Sequence, residues 1–315
     1  MTKLALVISR WDPQPWIDRF NKVAPEVEIA AWPDKNLIPD SVDYAIAWQP
    51  PEGVLASFSN LKAIFSLGAG VDHILREPKL PDVPLVRVVD PDLTMRMSEY
   101  VCLHVLMYHR QQRLLDADQA KSIWSDRPQW AASALSVGIM GLGELGRDAA
   151  KKLAHIGFQV HGWSNSPKTI ENVISHSGPD GLNVFLAVSD IVVCLLPHTK
   201  DTEGILNRSL FQKMKQKSLL GAPVLINAGR GKLQVAADII ASLDAGELGA
   251  VTLDVFESEP LPADDPLWAH PKVTITPHNA ADSDPDALCA YVMSQIRRHQ
   301  ATGKLENTVN RQTGY

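Results

Sequence analysis

The feature that most constrains this chain is an apolar run, Val137-Gly138-Ile139-Met140, feeding directly into Gly141-Leu142-Gly143-Glu144-Leu145-Gly146. A glycine pattern of this kind is common by itself. Its position gives it meaning, because Arg147 to Leu153 continue in helical composition and put the glycines in a strand-to-helix turn. Gly141 permits the tight turn, Gly143 lets the backbone approach a pyrophosphate, and Gly146 lets the helix pack closely on the strand. The N–H groups at the helix start, about Glu144 and Leu145, then face the anion. A second apolar strand, Gln159 to Trp163, ends where the ribose-reading residue of such a unit belongs. The pattern predicts a dinucleotide-binding βαβ unit.

The rest of the chain is consistent with that unit. At 315 residues it is long enough for two domains, and 45% hydrophobic with 21% charged residues is the composition of a soluble globular protein. A net charge of −6 without a local basic cluster argues against a nucleic-acid partner. No apolar run approaches the ~18 residues of a membrane span, and the amino terminus reads as a first strand rather than a signal peptide. Cys102, Cys194 and Cys289 are widely spaced in apolar surroundings and read as reduced, buried thiols. A cytoplasmic location follows, and no metal is expected.

Short apolar runs at Leu4 to Ile8, Val27 to Ala31, Tyr44 to Trp48, Ala63 to Ser66 and Leu85 to Val88 read as buried strands of a parallel sheet. From Ser98 to about Lys121 the pattern becomes one long helix, with Val101, Val105, Leu106 and Leu114 on its apolar face. A second series of strands runs through 137–140, 159–163, 191–195, 224–227, 251–255 and 273–276, spaced for a second doubly wound sheet. The last helix, 285–298, has no strand to complete and is expected to return to the first domain. The expected division is residues 1–97 with 282–315 as one domain and 98–281 as the other.

Three polar positions stand at predicted strand ends of the second domain, where open α/β sheets bind ligands. Arg230 follows an apolar strand in Asn227-Ala228-Gly229-Arg230-Gly231. Its flanking glycines suggest room for a guanidinium fork to meet a planar carboxylate. His278 follows Thr276-Pro277 and suits general acid–base work near neutrality. Glu259, in Asp254-Val255-Phe256-Glu257-Ser258-Glu259-Pro260-Leu261, is placed to orient the imidazole and raise its pKa.

With these segments in hand, the chain resembles the D-isomer-specific 2-hydroxyacid dehydrogenases along nearly its whole length. Within them it looks most like the glyoxylate/hydroxypyruvate reductase A branch. That narrower likeness is carried by Ala47-Trp48-Gln49-Pro50-Pro51, Leu67-Gly68-Ala69-Gly70-Val71-Asp72, Pro262 through Trp268, and Thr313-Gly314-Tyr315. The resemblance implies an α/β fold of two doubly wound parallel-sheet domains, a Rossmann-type nucleotide domain plus a flavodoxin-like substrate domain, with an active-site cleft between them. It implies that His278 gives a proton to a 2-oxo acid's carbonyl oxygen, that Glu259 orients His278, and that Arg230 binds the substrate carboxylate. The backbone at Ala69 and Gly70 would hold the carboxylate's other oxygen, and Trp48 and Met97 would wall the pocket. Asp254 would accept the nicotinamide carboxamide, or else cap a helix, and Leu196 and Pro197 count with the nucleotide contacts. A homodimer built on the helix from Ser98 is also implied. Formate dehydrogenases carry an amide at the Glu259 position, so the acid here fits carbonyl reduction better.

The nucleotide-specificity segment is Trp163-Ser164-Asn165-Ser166-Pro167-Lys168. An NAD site would usually place Asp or Glu near Ser164, and none appears. The hydroxyls of Ser164 and Ser166, the Asn165 amide and Lys168 suit a 2′-phosphate, so NADP(H) is expected over NAD(H). Relatives that use NADP generally place an arginine near Asn165, which this chain lacks. The expected activity is reduction of glyoxylate, hydroxypyruvate or a similar small 2-oxo acid. A phosphoglycerate dehydrogenase or another D-2-hydroxyacid dehydrogenase is the enzymatic alternative, disfavoured because the chain ends soon after the last helix. A dinucleotide-sensing corepressor is the non-enzymatic one, disfavoured because Arg230, Glu259 and His278 are all intact.

Overall fold

The structure, a computed structural model, describes residues 2–9, 11–35 and 37–314. It divides into two compact units, one running up to Leu93 and resuming at Ser283, the other spanning Thr94–Asp282. The first unit opens with β1 (Lys3–Ile8), α1 (Gln14–Val23), β2 (Glu28–Ala31), β3 (Tyr44–Trp48), β4 (Ala63–Ser66), a short α2 (Asp72–Leu75) and β5 (Leu85–Val86). All its strand pairs are parallel, in the order β2-β1-β3-β4-β5. This is the flavodoxin-like order, whose reversal falls between β1 and β3. The inner strands β1, β3 and β4 are buried on both faces, which is why they read as continuous apolar runs, while the edge strand β2 is exposed or half-buried, against the expectation of a buried strand.

Next come α3 (Pro91–His109) and α4 (Gln112–Gln119). The sequence suggests one helix beginning at Ser98, and the structure corrects this at both ends. The start is earlier because Asp90 accepts the N–H groups of Asp92 and Leu93 while Pro91 takes the first helical position. The break after His109 comes from Gln111, which adopts a left-handed φ of 55° and donates its side-chain amide to the Pro128 carbonyl. No glycine or proline marks that break in the sequence.

The second unit continues with β6 (Ser136–Met140), α5 (Glu144–Ile156), β7 (Gln159–Ser164), β8 (Ile174–Ser177), α6 (Gly178–Val188), β9 (Ile191–Cys194), α7 (Arg208–Phe211), β10 (Val224–Asn227), α8 (Ala236–Asp244), β11 (Ala250–Leu253) and β12 (Val273–Ile275). Its seven parallel strands lie in the order β12-β11-β10-β9-β6-β7-β8, so the order reverses between β6 and β9. β8 is an addition to the expected strands. The final helix, α9 (Pro285–Thr302), packs in the first unit against α1 and closes on Gly303 in the left-handed region. Cys194 and Cys289 are fully buried free thiols, each with its pKa pushed up to about 12 by burial. Cys102 departs from the expectation in being only partly buried, its pKa raised mainly by that burial. No helix among the described residues is long and apolar enough to cross a membrane.

Candidate active site

The glycine-rich turn sits at the reversal point of the seven-stranded sheet. Gly141 has φ +103° and donates its N–H to the Trp163 carbonyl, tying the end of β6 to the end of β7. A Cβ at Gly146 would fall 1.8 Å from the Gly141 carbonyl oxygen, so only glycine lets α5 start this close to the strand. At Gly143, by contrast, a Cβ would meet no atom within 4 Å. That open space lies beside the first N–H groups of α5, which have no intrahelical partner by construction. It is the cradle a pyrophosphate needs, and the residues present fit a dinucleotide. Glu144 is exposed and Leu145 half-buried in the first turn of α5. Leu196 and Pro197 belong to the neighbouring loop, in which the Leu195 carbonyl packs on Gly141 and the Leu196 carbonyl packs on Gly229.

At the end of β7, Ser164 still pairs in register with Ser177 of β8, while Asn165, Ser166 and Lys168 are exposed. The Ser164 hydroxyl donates to the Ser166 carbonyl at 2.8 Å, which folds the segment into a tight turn. Trp163 is anchored through its indole N–H on the Gly178 carbonyl at 2.9 Å. The segment is therefore held at its base and open at its tip.

Arg230 stands on the loop after β10. Buried Asn227 shapes that loop: its side-chain oxygen accepts the Gly229 N–H at 3.0 Å, and its amide donates to the Arg230 carbonyl and to Gln234. Gln234 in turn donates to the Val255 carbonyl at 3.0 Å, joining this loop to the one after β11. The guanidinium donates to the Gly229 carbonyl at 2.6 Å. The flanking glycines also have a packing reason. A Cβ at Gly231 would lie 1.9 Å from the Phe256 carbonyl carbon, and one at Gly229 would lie 2.7 Å from the Leu196 carbonyl oxygen. They let three loops close on one another.

Glu259 and His278 meet directly, His278 Nδ1 lying 2.7 Å from Glu259 Oε2, while Glu259 Oε1 accepts the Phe256 N–H at 2.9 Å. Burial pushes the Glu259 carboxyl upward, but the hydrogen bonds from His278 and Phe256 outweigh it and leave the group below the usual carboxylate range. The same bond to Glu259 raises His278 above an ordinary imidazole, against opposition from burial and from the charge of Arg230. His278 is itself left-handed, with φ 52°, an uncommon conformation for a non-glycine residue that its surroundings must hold.

Asp254 does that holding. It is 1% exposed, its carbonyl accepts the His278 N–H at 2.8 Å, and its carboxylate accepts the N–H groups of Asn279 and Ala280. Its Oδ1 also accepts the Thr276 hydroxyl at 2.6 Å. The carboxylate thus caps the turn after β12, close to the capping alternative. Asn227, Gln234 and Thr276 are not singled out by the sequence reading. Their only signal there is polar character at the end of an apolar strand or in the loop beyond it.

In the first unit, Ala69 and Gly70 are half-buried in the turn after β4, where Ser66 donates its hydroxyl to the Gly70 carbonyl and accepts the Gly68 N–H. Trp48 ends β3 at that sheet's reversal point and packs against Gly68, whose Cβ would come 2.6 Å from the indole. Trp11 stacks on Trp48 at 5.3 Å, a partner the sequence does not announce. Met97, in the second unit, is packed in the core cluster that contains Tyr100, Val101 and Ala280.

A parallel sheet with a glycine cradle at its reversal point and an acid–imidazole pair at neighbouring strand ends is the architecture of a nucleotide-dependent dehydrogenase. Comparison with known proteins agrees. Residues 102–280 match the family model described as D-isomer specific 2-hydroxyacid dehydrogenase, NAD binding domain, and the chain belongs to that family. It is similar to the glyoxylate/hydroxypyruvate reductase A of Yersinia enterocolitica, at 38% identity over 97% of each chain. Among solved structures it is similar to an NADPH-dependent glyoxylate/hydroxypyruvate reductase from Sinorhizobium meliloti in complex with NADP and sulfate, at 44% identity and TM-score 0.94 over the whole of both chains. A probable 2-hydroxyacid dehydrogenase from Rhizobium etli, in complex with NADP, HEPES and tartaric acid, matches over the whole of both chains at 41% identity and TM-score 0.95.

Proposed function

We propose that this protein reduces a small 2-oxo acid, glyoxylate or hydroxypyruvate, to the 2-hydroxy acid with NADPH. The observation that carries the reading is the 2.7 Å contact of His278 with Glu259, within the electrostatic reach of Arg230. A bound nicotinamide supplies the hydride. His278 has Nδ1 committed to Glu259, so the proton it gives to the carbonyl oxygen leaves from Nε2. Afterwards the neutral imidazole keeps its Nδ1–H on Glu259, so the ring stays in place through the transfer. Arg230 takes the substrate carboxylate and concentrates positive charge where the alkoxide develops. The arriving carboxylate also neutralises the guanidinium that opposes protonated His278, so substrate binding favours the acid form of its own proton donor.

NADPH rather than NADH follows from the open tip at Asn165, Ser166 and Lys168, which carries no acidic side chain to repel a 2′-phosphate. Ala69 and Gly70 keep their proposed carboxylate contact, and Trp48 its place beside them. A homodimer is part of the proposal. Leu103, Leu114, Ile123 and Trp124 are exposed on α3, α4 and the segment after them, with Trp124 99% accessible, and these apolar side chains are the ones a partner copy would cover. The buried free thiols support a cytoplasmic setting. The test is NADPH absorbance at 340 nm with glyoxylate, hydroxypyruvate or no substrate. Oxidation that depends on a 2-oxo acid supports the reading, and nucleotide binding without turnover on either acid overturns it.

A further inference from the structure

We propose that Tyr100 and Thr276 are positioning residues for the proton donor, forming with Asp254 a hydroxyl chain from α3 that fixes the backbone on which His278 is presented. Tyr100 on α3 places its phenol 2.8 Å from Thr276 Oγ1, and Thr276 lies 2.6 Å from Asp254 Oδ1. The direction of the bonds follows from the inventory of donors. The carboxylate of Asp254 accepts, so the Thr276 hydroxyl donates to it and must accept from the phenol. Burial raises the pKa of Tyr100, which keeps the phenol a donor across the working range. Each link is buried or half-buried, and removing one donor there leaves its acceptor short of a bond that water does not easily replace.

What the chain secures is the left-handed turn. Thr276, Asn279 and Ala280 all donate to the Asp254 side chain, and His278 donates its N–H to the Asp254 carbonyl. Four bonds from a five-residue stretch therefore converge on one aspartate, whose rotamer rests on Thr276 and, through it, on Tyr100. His278 can hold φ 52° only while that frame persists. The proposal rests on the reductase reading for its catalytic consequence, but not for its geometry.

The experiment compares Tyr100→Phe, Thr276→Val and Thr276→Ser in the full-length protein. The imidazole of His278, assigned by its loss in His278→Gln, is titrated by NMR without substrate. The pH profile of kcat/KM is then measured with NADPH saturating. The charged groups facing His278 are Glu259, Arg230 and Asp254, and none of these is altered. In Thr276→Val the imidazole drifts from Glu259. Its titration midpoint and the alkaline limb of kcat/KM both move to lower pH, and kcat falls up to about 100-fold, as expected for a misplacement near 1 Å. Tyr100→Phe shifts both in the same direction by less, and Thr276→Ser restores them, with NADPH affinity unchanged throughout. A titration midpoint and limb unmoved in both Thr276→Val and Tyr100→Phe would overturn the chain, whatever the loss of kcat or melting temperature. If Thr276→Val does not fold, Tyr100→Phe against wild type decides alone. If neither acid is turned over, the NMR titration still decides the chain while the reductase reading fails separately.

Discussion

Gly231→Ala has nowhere to put its methyl group. The new Cβ would fall 1.9 Å from the Phe256 carbonyl carbon, 2.1 Å from its oxygen and 2.4 Å from the Glu257 nitrogen. All three are backbone atoms, so no side chain can rotate away, and the two loops must part by about an ångström to restore normal contact. Overpacking of this kind costs typically 1–3 kcal/mol, against roughly 0.4–1 kcal/mol gained when an alanine restricts the unfolded chain. The clash wins, by about 1 kcal/mol. For a unit the size of Thr94–Asp282 that lowers Tm by roughly 2–4 °C. The larger effect is on catalysis. One loop carries Arg230 and the other carries the Phe256 N–H that holds Glu259 Oε1, so parting them displaces both Arg230 and the carboxylate bonded to His278. Misplacement of about 1 Å costs around 10²-fold in rate. Thermal melts and steady-state kinetics on glyoxylate and hydroxypyruvate measure both effects. Gly143→Ala is the control: with no atom within 4 Å of the added Cβ, it leaves Tm within about a degree and weakens NADPH binding instead. A Gly231→Ala protein with wild-type Tm and kcat/KM would refute the claim that these loops are locked. A lowered Tm with normal kcat/KM would refute only their coupling to catalysis.

Further outcomes are expected. His278→Ala lowers kcat by about 10²–10⁴-fold and leaves NADPH affinity nearly intact, which a direct nucleotide titration beside turnover assays checks. Glu259→Gln removes the bond that raises His278, so the alkaline limb of kcat/KM for reduction moves to lower pH, and a limb that stays put contradicts the orienting role. Arg230→Lys loses the two-donor fork and raises KM while lowering kcat, and near-normal kcat/KM would show that bulk positive charge is enough. Ser164→Asp and Lys168→Ala each shift preference from NADPH toward NADH, read as the ratio of kcat/KM for the two nucleotides. A wild-type protein that prefers NADH would sink that reading.

Legibility in the sequence tracks burial and locality. Tyr44–Trp48, Ala63–Ser66 and Val224–Asn227 are recovered to the residue, because strands buried on both faces leave uninterrupted apolar runs. Ile174–Ser177 escapes because an edge strand with two exposed and two half-buried residues has neither a run nor an alternation to show. The break at Gln111 escapes because a tertiary bond to the Pro128 carbonyl, not a local breaker, sustains it. The start at Pro91 is signalled locally by Asp90-Pro91, but the apolar pattern becomes clear only from Ser98 on. At the site, Arg230, Glu259 and His278 are legible as charged groups at strand ends. Asn227, Gln234, Tyr100 and Thr276 are not, since a buried amide or hydroxyl declares its purpose only through the partner it finds across the fold.

The specificity segment from Ser164 to Lys168 contrasts with these locked loops in what it allows a lineage to change. At Gly146 or Gly231 a single added methyl meets backbone that cannot turn aside, so a substitution there strains the fold. Four of the five residues from Ser164 to Lys168 are exposed, and the turn is held by one serine hydroxyl on a carbonyl. Substitutions there cost the fold little. Coenzyme choice is therefore the property that substitution can alter at little cost to the fold.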